Sequence, residues 1–186
     1  MKRNLLPSIF LSICLLFPSA VLAADDVPGV TDDEVVIGIT VPMSGPAAMW
    51  AAMGLGNLAW AQHINDQGGI HGRKIKVILK DDGYNPARAL ANLKDMKGDV
   101  FAYGCVIGSA TANAARDFLV ESKTPVVHIH ANPRMWVNVP DEQMQNLFIA
   151  YPDYVDEAGA ITAFAVNQKG LKKIALFGQN DDWGRS

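Results

Sequence analysis

The chain has 186 residues, 16 of them basic and 19 acidic, and 49% of it is hydrophobic. That is enough apolar material for a substantial core, with no basic run to track a phosphate backbone, so nucleic acid is excluded as a partner. The only cysteines are Cys14 and Cys105.

Met1, Lys2 and Arg3 precede the apolar run LLPSIFLSICLLFPSAVL, and Val21-Leu22-Ala23 before Ala24 supplies small residues for cleavage. This predicts a secretory signal over residues 1–23 and hence a periplasmic location. Pro7, Pro18 and the acidic flank Asp25-Asp26 argue against a membrane anchor, and Ile13 before Cys14 argues against lipidation. Cleavage leaves 163 residues (186 less 23), with 14 basic residues against 19 acidic ones and Cys105 alone. An internal disulfide is then impossible, and Cys105, set in an apolar stretch, reads as a buried small hydrophobe.

Val35–Val41 (VVIGITV) is rich in β-branched residues and ends at a turn, MSGP, which predicts a buried strand. A helix follows over Met49–Gln67, with Met49, Met53, Ala59, Trp60 and Ile64 at inward spacings and Gly68-Gly69 as its stop signal. Lys74–Lys80 alternates Ile75, Val77 and Leu79 as a strand, and Pro86 opens a helix through Lys97 with Ala89, Leu90, Leu93 and Met96 inward. VFAYGCVIG is a third strand. SATANAARDFLVES is a third helix with Ala114, Ala115, Phe118 and Leu119 inward, and TPVVHIH is a fourth strand. A loop over 132–145 leads to a short strand LFIAYP, a helix over Tyr154–Gln168 and a strand KKIALFG. Such alternation predicts an α/β fold, a doubly wound parallel sheet with helices on both faces.

Ligands of such sheets bind beyond the C-terminal strand ends, which selects the loops 44–50, 81–86, 104–111 and 130–136. In the third, Gly108 lets the backbone approach a ligand, and Ser109 is expected to cap a helix whose first N–H groups suit a carboxylate. Trp50 offers an apolar wall. Asp81-Asp82 reads as turn capping before Gly83 and Pro86. His128 and His130 share a strand face without nameable further ligands, so packed or solvated histidines are favoured over a metal site. GxSxG is absent, and Gly54-Leu55-Gly56 lies inside a helix, not before one, so neither a serine nucleophile nor a dinucleotide loop is supported. Neither enzyme nor cofactor is expected.

MSGPAAMW, AQHINDQGGIHGRKIKVILKDDGYNPARALANLK, GSATANAARDFL, TPVV, YPDYVDEA and IALFGQNDDWG, in this order, resemble the periplasmic substrate-binding proteins of branched-chain amino acid (leucine-binding type) ABC transporters. The resemblance implies a type I periplasmic-binding-protein lobe over residues 24–146, with a hinge crossing at LFIAYP and the truncated start of a second lobe over 147–186. Ligand contacts would fall on Trp50, Ser109, Ala110, Thr111, Asn132, Arg134 and Tyr154, and on Glu157. The implied function is delivery of a small polar ligand (amino acid, amide or carboxylic acid) to an inner-membrane ABC permease by a protein monomeric at full length. The alternative is a sensor domain of the same fold. Asn132-Pro133-Arg134 stands where amino-acid-binding members carry small and hydroxyl residues. An arginine there would repel an ammonium, so a ligand without a free α-ammonium is expected. A complete member should be about twice this length, because a second lobe needs its own core. On its own the 186-residue product should then be poorly soluble or bind weakly.

Overall fold

A computed structural model describes residues 27–185, so the proposed signal over 1–23 lies outside the described residues. The β-branched run becomes β1 (Glu34–Val41), and a single 3-10 turn (Ala48–Trp50) leads into α1 (Ala51–Asp66). Then follow β2 (Lys74–Asp81), α2 (Pro86–Met96), β3 (Ala102–Ile107), α3 (Ser109–Ser122), β4 (Val126–His130), β5 (Leu147–Ile149) and α4 (Tyr154–Ala163), the last continuing as a π-helical turn to Gln168. All five strands are parallel, in the order β2-β1-β3-β4-β5. The chain leaves β1 to one side for β2 and returns to the other for β3, so the sheet changes direction beside β1.

Alternation along the strands divides the core between the two faces. Ile39, Val41, Cys105 and Ile107 pack with Met53 and Leu79 on the α1 side. On the other side Tyr103, Val106, Val126 and Ile129 pack with Leu93, Met96, Ala115 and Leu119 from α2 and α3. Tyr103 and Val106 share a face although three residues apart, because the β1–β3 register shifts between Gly38 and Ile39, leaving Gly104 as the extra residue. Cys105 is buried as expected, and its thiol is pushed up to about 12 by burial, which keeps it protonated and inert.

Helix ends follow local chemistry. Asn85 caps α2 by accepting from the Arg88 N–H at 3.0 Å, with Pro86 in the first turn, and Asp153 caps α4 by accepting from the Val155 N–H at 2.8 Å.

Three expectations are corrected. In α1 Met53 packs inward as expected, but the buried residues are Gly54 and Ala61, while Ala59 and Trp60 face solvent, Trp60 being 64% exposed, and Met49 stands in the preceding turn, also exposed. Small residues let the helix lie close to the sheet, and the bulky ones therefore turn outward. In α3 Ala114 is exposed, while Ala112 and Val120 join Ala115 and Leu119 inside. KKIALFG forms no strand: it pairs with no strand among the described residues, and Leu176 and Phe177 are 86% and 103% exposed. A strand is stabilised only through a neighbour's ladder, so a strand-like composition without one leaves an extended segment.

The two α1 glycines make opposite predictions. A Cβ on Gly54 would lie 2.7 Å from Val41 Cγ2 and 2.8 Å from Leu79 Cδ1, whereas one on Gly56 would meet nothing within 4 Å. Gly54→Val should cost about 1–3 kcal/mol by overpacking, and Gly56→Ala should gain about 0.5–1 kcal/mol from helix propensity. Urea midpoints check both, and equal effects of the two substitutions would contradict the packing described.

Candidate functional site

The C-terminal strand ends converge on one cleft, with about 80 Å³ of accessible volume, lined by Ala47, Trp50, Tyr84, Ile107, Gly108, His130, Tyr154, Gln179 and Trp183. The loops after the first three strands contribute, and the fourth strand contributes its last residue, His130, as the switch-point rule leads one to expect. Five of the lining side chains are aromatic or imidazole rings.

The aspartate pair builds the floor's support. Asp81 accepts from the backbone N–H groups of Met43 (2.8 Å), Ser44 (3.2 Å) and Gly83 (2.8 Å) and from the Ser44 hydroxyl (2.5 Å), with the Arg88 guanidinium at 3.3 Å. It thereby fastens the loop after β1 to the loop after β2. The Ser44 hydroxyl first, with those N–H groups and Arg88, holds its carboxyl at about 2, against the pull of partial burial. Asp82 is fully buried and accepts from the Thr40 hydroxyl (2.9 Å) and the Tyr84 N–H (2.8 Å). Burial raises its carboxyl above the usual range, partly offset by those two bonds. The capping expected of this pair is present, but it extends across two loops. Tyr84 is thus presented to the cleft at a φ of 60°, its hydroxyl raised by burial and by Asp181.

Gly108 ends β3 at a φ of 99° and is the residue preceding α3. A Cβ there would lie 2.4 Å from Tyr84 Cε2 and 2.9 Å from Thr111 Oγ1, so conformation and space both require glycine. Its N–H donates to the His130 carbonyl at 2.9 Å, tying the ends of β3 and β4 together. Ser109 is not the cap. It is the first helical residue, buried, and its hydroxyl accepts from the Asn132 N–H at 3.0 Å and meets the Tyr154 hydroxyl. Thr111 is buried, with its hydroxyl returned to the carbonyls of Ile107 and Gly108. A turn with Gly108 at positive φ replaces the side-chain cap, and the first N–H groups of α3 lie beyond the reach of intrahelical acceptors.

Of the residues selected from sequence, Trp50 and Tyr154 line the cleft, and Ser109, Ala110 and Thr111 form the helix start beneath it. Asn132 supports this arrangement through Ser109 and caps the next turn by accepting from the Arg134 N–H at 3.0 Å. Arg134 is outside the lining: its Nε donates to Asp153 at 2.5 Å, which holds the Asp153 carboxyl below its usual range. Its charge is matched there. Glu157 lies on the neighbouring groove with Tyr154 and Trp183.

Sequence reasoning did not select Tyr84, His130, Gln179 or Trp183. His130 was legible as the last residue of a strand whose C-terminal end faces the site. It joins a chain of rings, with Trp50 at 5.2 Å, Tyr151 at 4.1 Å, then Tyr151 to Tyr154 at 5.1 Å and Tyr154 to Trp183 at 6.3 Å between centroids. Burial and then His128 lower its pKa, so at neutral pH it is an uncharged ring. No group of three or more potential metal-ligating side chains occurs among the described residues.

The periplasmic binding protein family model matches residues 34–186. The chain belongs to that family. It is 27% identical over 163 residues to an amino acid binding protein of Pseudomonas aeruginosa, covering 82% of this chain and 41% of that one. A possible leucine/isoleucine/valine-binding protein from Rhodopirellula baltica superposes with a TM-score of 0.70 at 27% identity, over 87% of this chain and 43% of that one. The isoleucine complex of a branched-chain amino acid transporter substrate binding protein from Streptococcus pneumoniae gives 0.68 at 23% identity, over 82% and 44%. This periplasmic binding protein therefore spans less than half the length of these relatives. The family and a relative named as a binding protein support a solute-binding role, and family membership implies an extracytoplasmic location.

The pH dependence of stability follows from Asp81. Its folded value of about 2 lies below the ordinary 3.8, so its contribution is full above pH 3.8 and is lost as pH falls toward 2. Asp81→Asn should cost about 1–3 kcal/mol at neutral pH and flatten the loss between pH 4 and 2. Denaturant midpoints across that range check it, and parallel acid profiles for the two proteins would contradict it.

Proposed function

We propose that this chain forms the ligand-contacting face of a solute-binding protein that delivers a small carboxylic acid or amide to an inner-membrane ABC permease. The observation that carries the reading is the start of α3, which no side chain caps and which follows Gly108 at the edge of a ring-lined cleft. Helix-terminal N–H groups with partial positive charge suit a carboxylate or an amide carbonyl.

The ligand is proposed to lack a free α-ammonium. Arg134, expected to repel one, is bound to Asp153. The support comes instead from the lining, which contains no carboxylate, and from the α3 terminus. Trp50, Tyr84, Gly108 and His130 hold one side of the solute, while Tyr154, Gln179 and Trp183 meet it from the other. In this reading residues 24–146 are the first lobe, and the crossing at 147–152 leads to a second. Relatives more than twice as long leave room for that lobe's own core. Ligand then favours a closed arrangement through its extra contacts there, which shifts the population toward closure.

Leucine and 4-methylpentanoate differ only in the α-ammonium. Isothermal titration should give 4-methylpentanoate or its amide an affinity at least equal to that of leucine, and Gly108→Val should weaken it about tenfold or more by displacing the Tyr84 ring packed against that turn. Leucine binding tenfold tighter than its deaminated analogue would contradict the ligand class.

A further inference from the structure

We infer that the cleft selects a planar aromatic acid over an aliphatic one of the same size. This deepens the preceding proposal and rests on its carboxylate reading.

Trp50, Tyr84, His130, Tyr154 and Trp183 are five of the nine residues around the cleft, and the aliphatic share is only Ala47 and Ile107. Ligand pockets mix aliphatic and aromatic walls, and where rings predominate a flat π-surface gains ring–ring contacts that an aliphatic chain of the same size does not. The rings do not stack on one another. Interplanar angles of 56°, 44°, 63° and 85° run along the series from Trp50 through His130, Tyr151 and Tyr154 to Trp183. Neighbouring rings so tilted present both edges and faces, the two partners that an inserted ring takes in edge-to-face and offset contacts.

Charge decides between two occupants of a ring-lined site. An aromatic cage also holds quaternary ammonium ions, and such cations gain from nearby carboxylates. No carboxylate is in the lining itself, Asp181 beside it is engaged by the Tyr84 hydroxyl, and the helix terminus beside Gly108 carries partial positive charge. His130 is kept uncharged by burial and by His128, so it serves as a ring at neutral pH. Gln179 supplies an amide at the rim, which suits a polar substituent on the ligand's ring, while the Tyr84 and Tyr154 hydroxyls are engaged by Asp181 and Ser109.

Benzoate and cyclohexanecarboxylate share a carboxylate on a six-membered ring and differ in the π-face. Titrated into the chain by calorimetry and by tryptophan fluorescence, benzoate should bind about tenfold tighter than cyclohexanecarboxylate. Trp50→Leu should abolish most of that ratio and Trp50→Phe should restore it, a pattern that a general loss of folding does not produce. Equal affinities, or a preference for cyclohexanecarboxylate or L-leucine, would overturn the aromatic inference and leave carboxylate binding standing. A preference for choline would overturn both. Binding of no carboxylate at all would also overturn both.

Discussion

Everything in the cleft depends on a backbone with no side chain at Gly108. The chain turns there at a φ of 99°, and the Tyr84 ring occupies the space a Cβ would need. From that contact follow the position of the α3 start, the bond from Gly108 to the His130 carbonyl, and the seating of Ser109 under the Asn132 turn. A helix beginning without a side-chain cap has its first donors available to something else. Burial of Ser109 and Thr111, each with its hydroxyl already engaged, keeps those side chains from competing for that role.

The aspartate pair answers a different demand. Long loops at strand ends lose more conformational entropy on ordering than short ones, and binding residues on them need a rigid support. Asp81 supplies it with one carboxylate that gathers two loops, and Asp82 does so beneath, at the cost of a buried acid. Asn92 completes the set by donating to the Thr40 hydroxyl at 3.1 Å and the Asp81 carbonyl at 3.0 Å. Trp50 and Tyr84 therefore sit on anchored backbone.

Much of this was legible in the order of residues. β-branched runs alternating with helical spacings gave a parallel α/β sheet, because both local propensity and the need for crossover helices point the same way. The inward stripe of α2 was readable, since Ala89, Leu93 and Met96 recur at one helical face. The stripe of α1 was readable only in part: Met53 packs inward, but close packing buried Gly54 and Ala61 where size pointed to Trp60. KKIALFG shows the limit of composition, since pairing is a property of two segments and sequence displays one. In the site, Gly108 was visible as a glycine turn and Trp50 as an apolar wall. Tyr84 was hidden within a turn motif, and Gln179 and Trp183 come from a stretch about 70 residues beyond Gly108, which local pattern cannot bring to β3.

The central claim is that the uncapped amides following Gly108 receive the ligand's carboxylate or amide carbonyl. Backbone ¹H–¹⁵N chemical shifts recorded while a carboxylate such as 4-methylpentanoate is titrated in test it directly. The largest changes should fall on the amides of Ser109, Ala110 and Thr111, with the indole resonance of Trp50 moving alongside. Saturable changes confined to other surfaces, with those three amides unmoved, would contradict it.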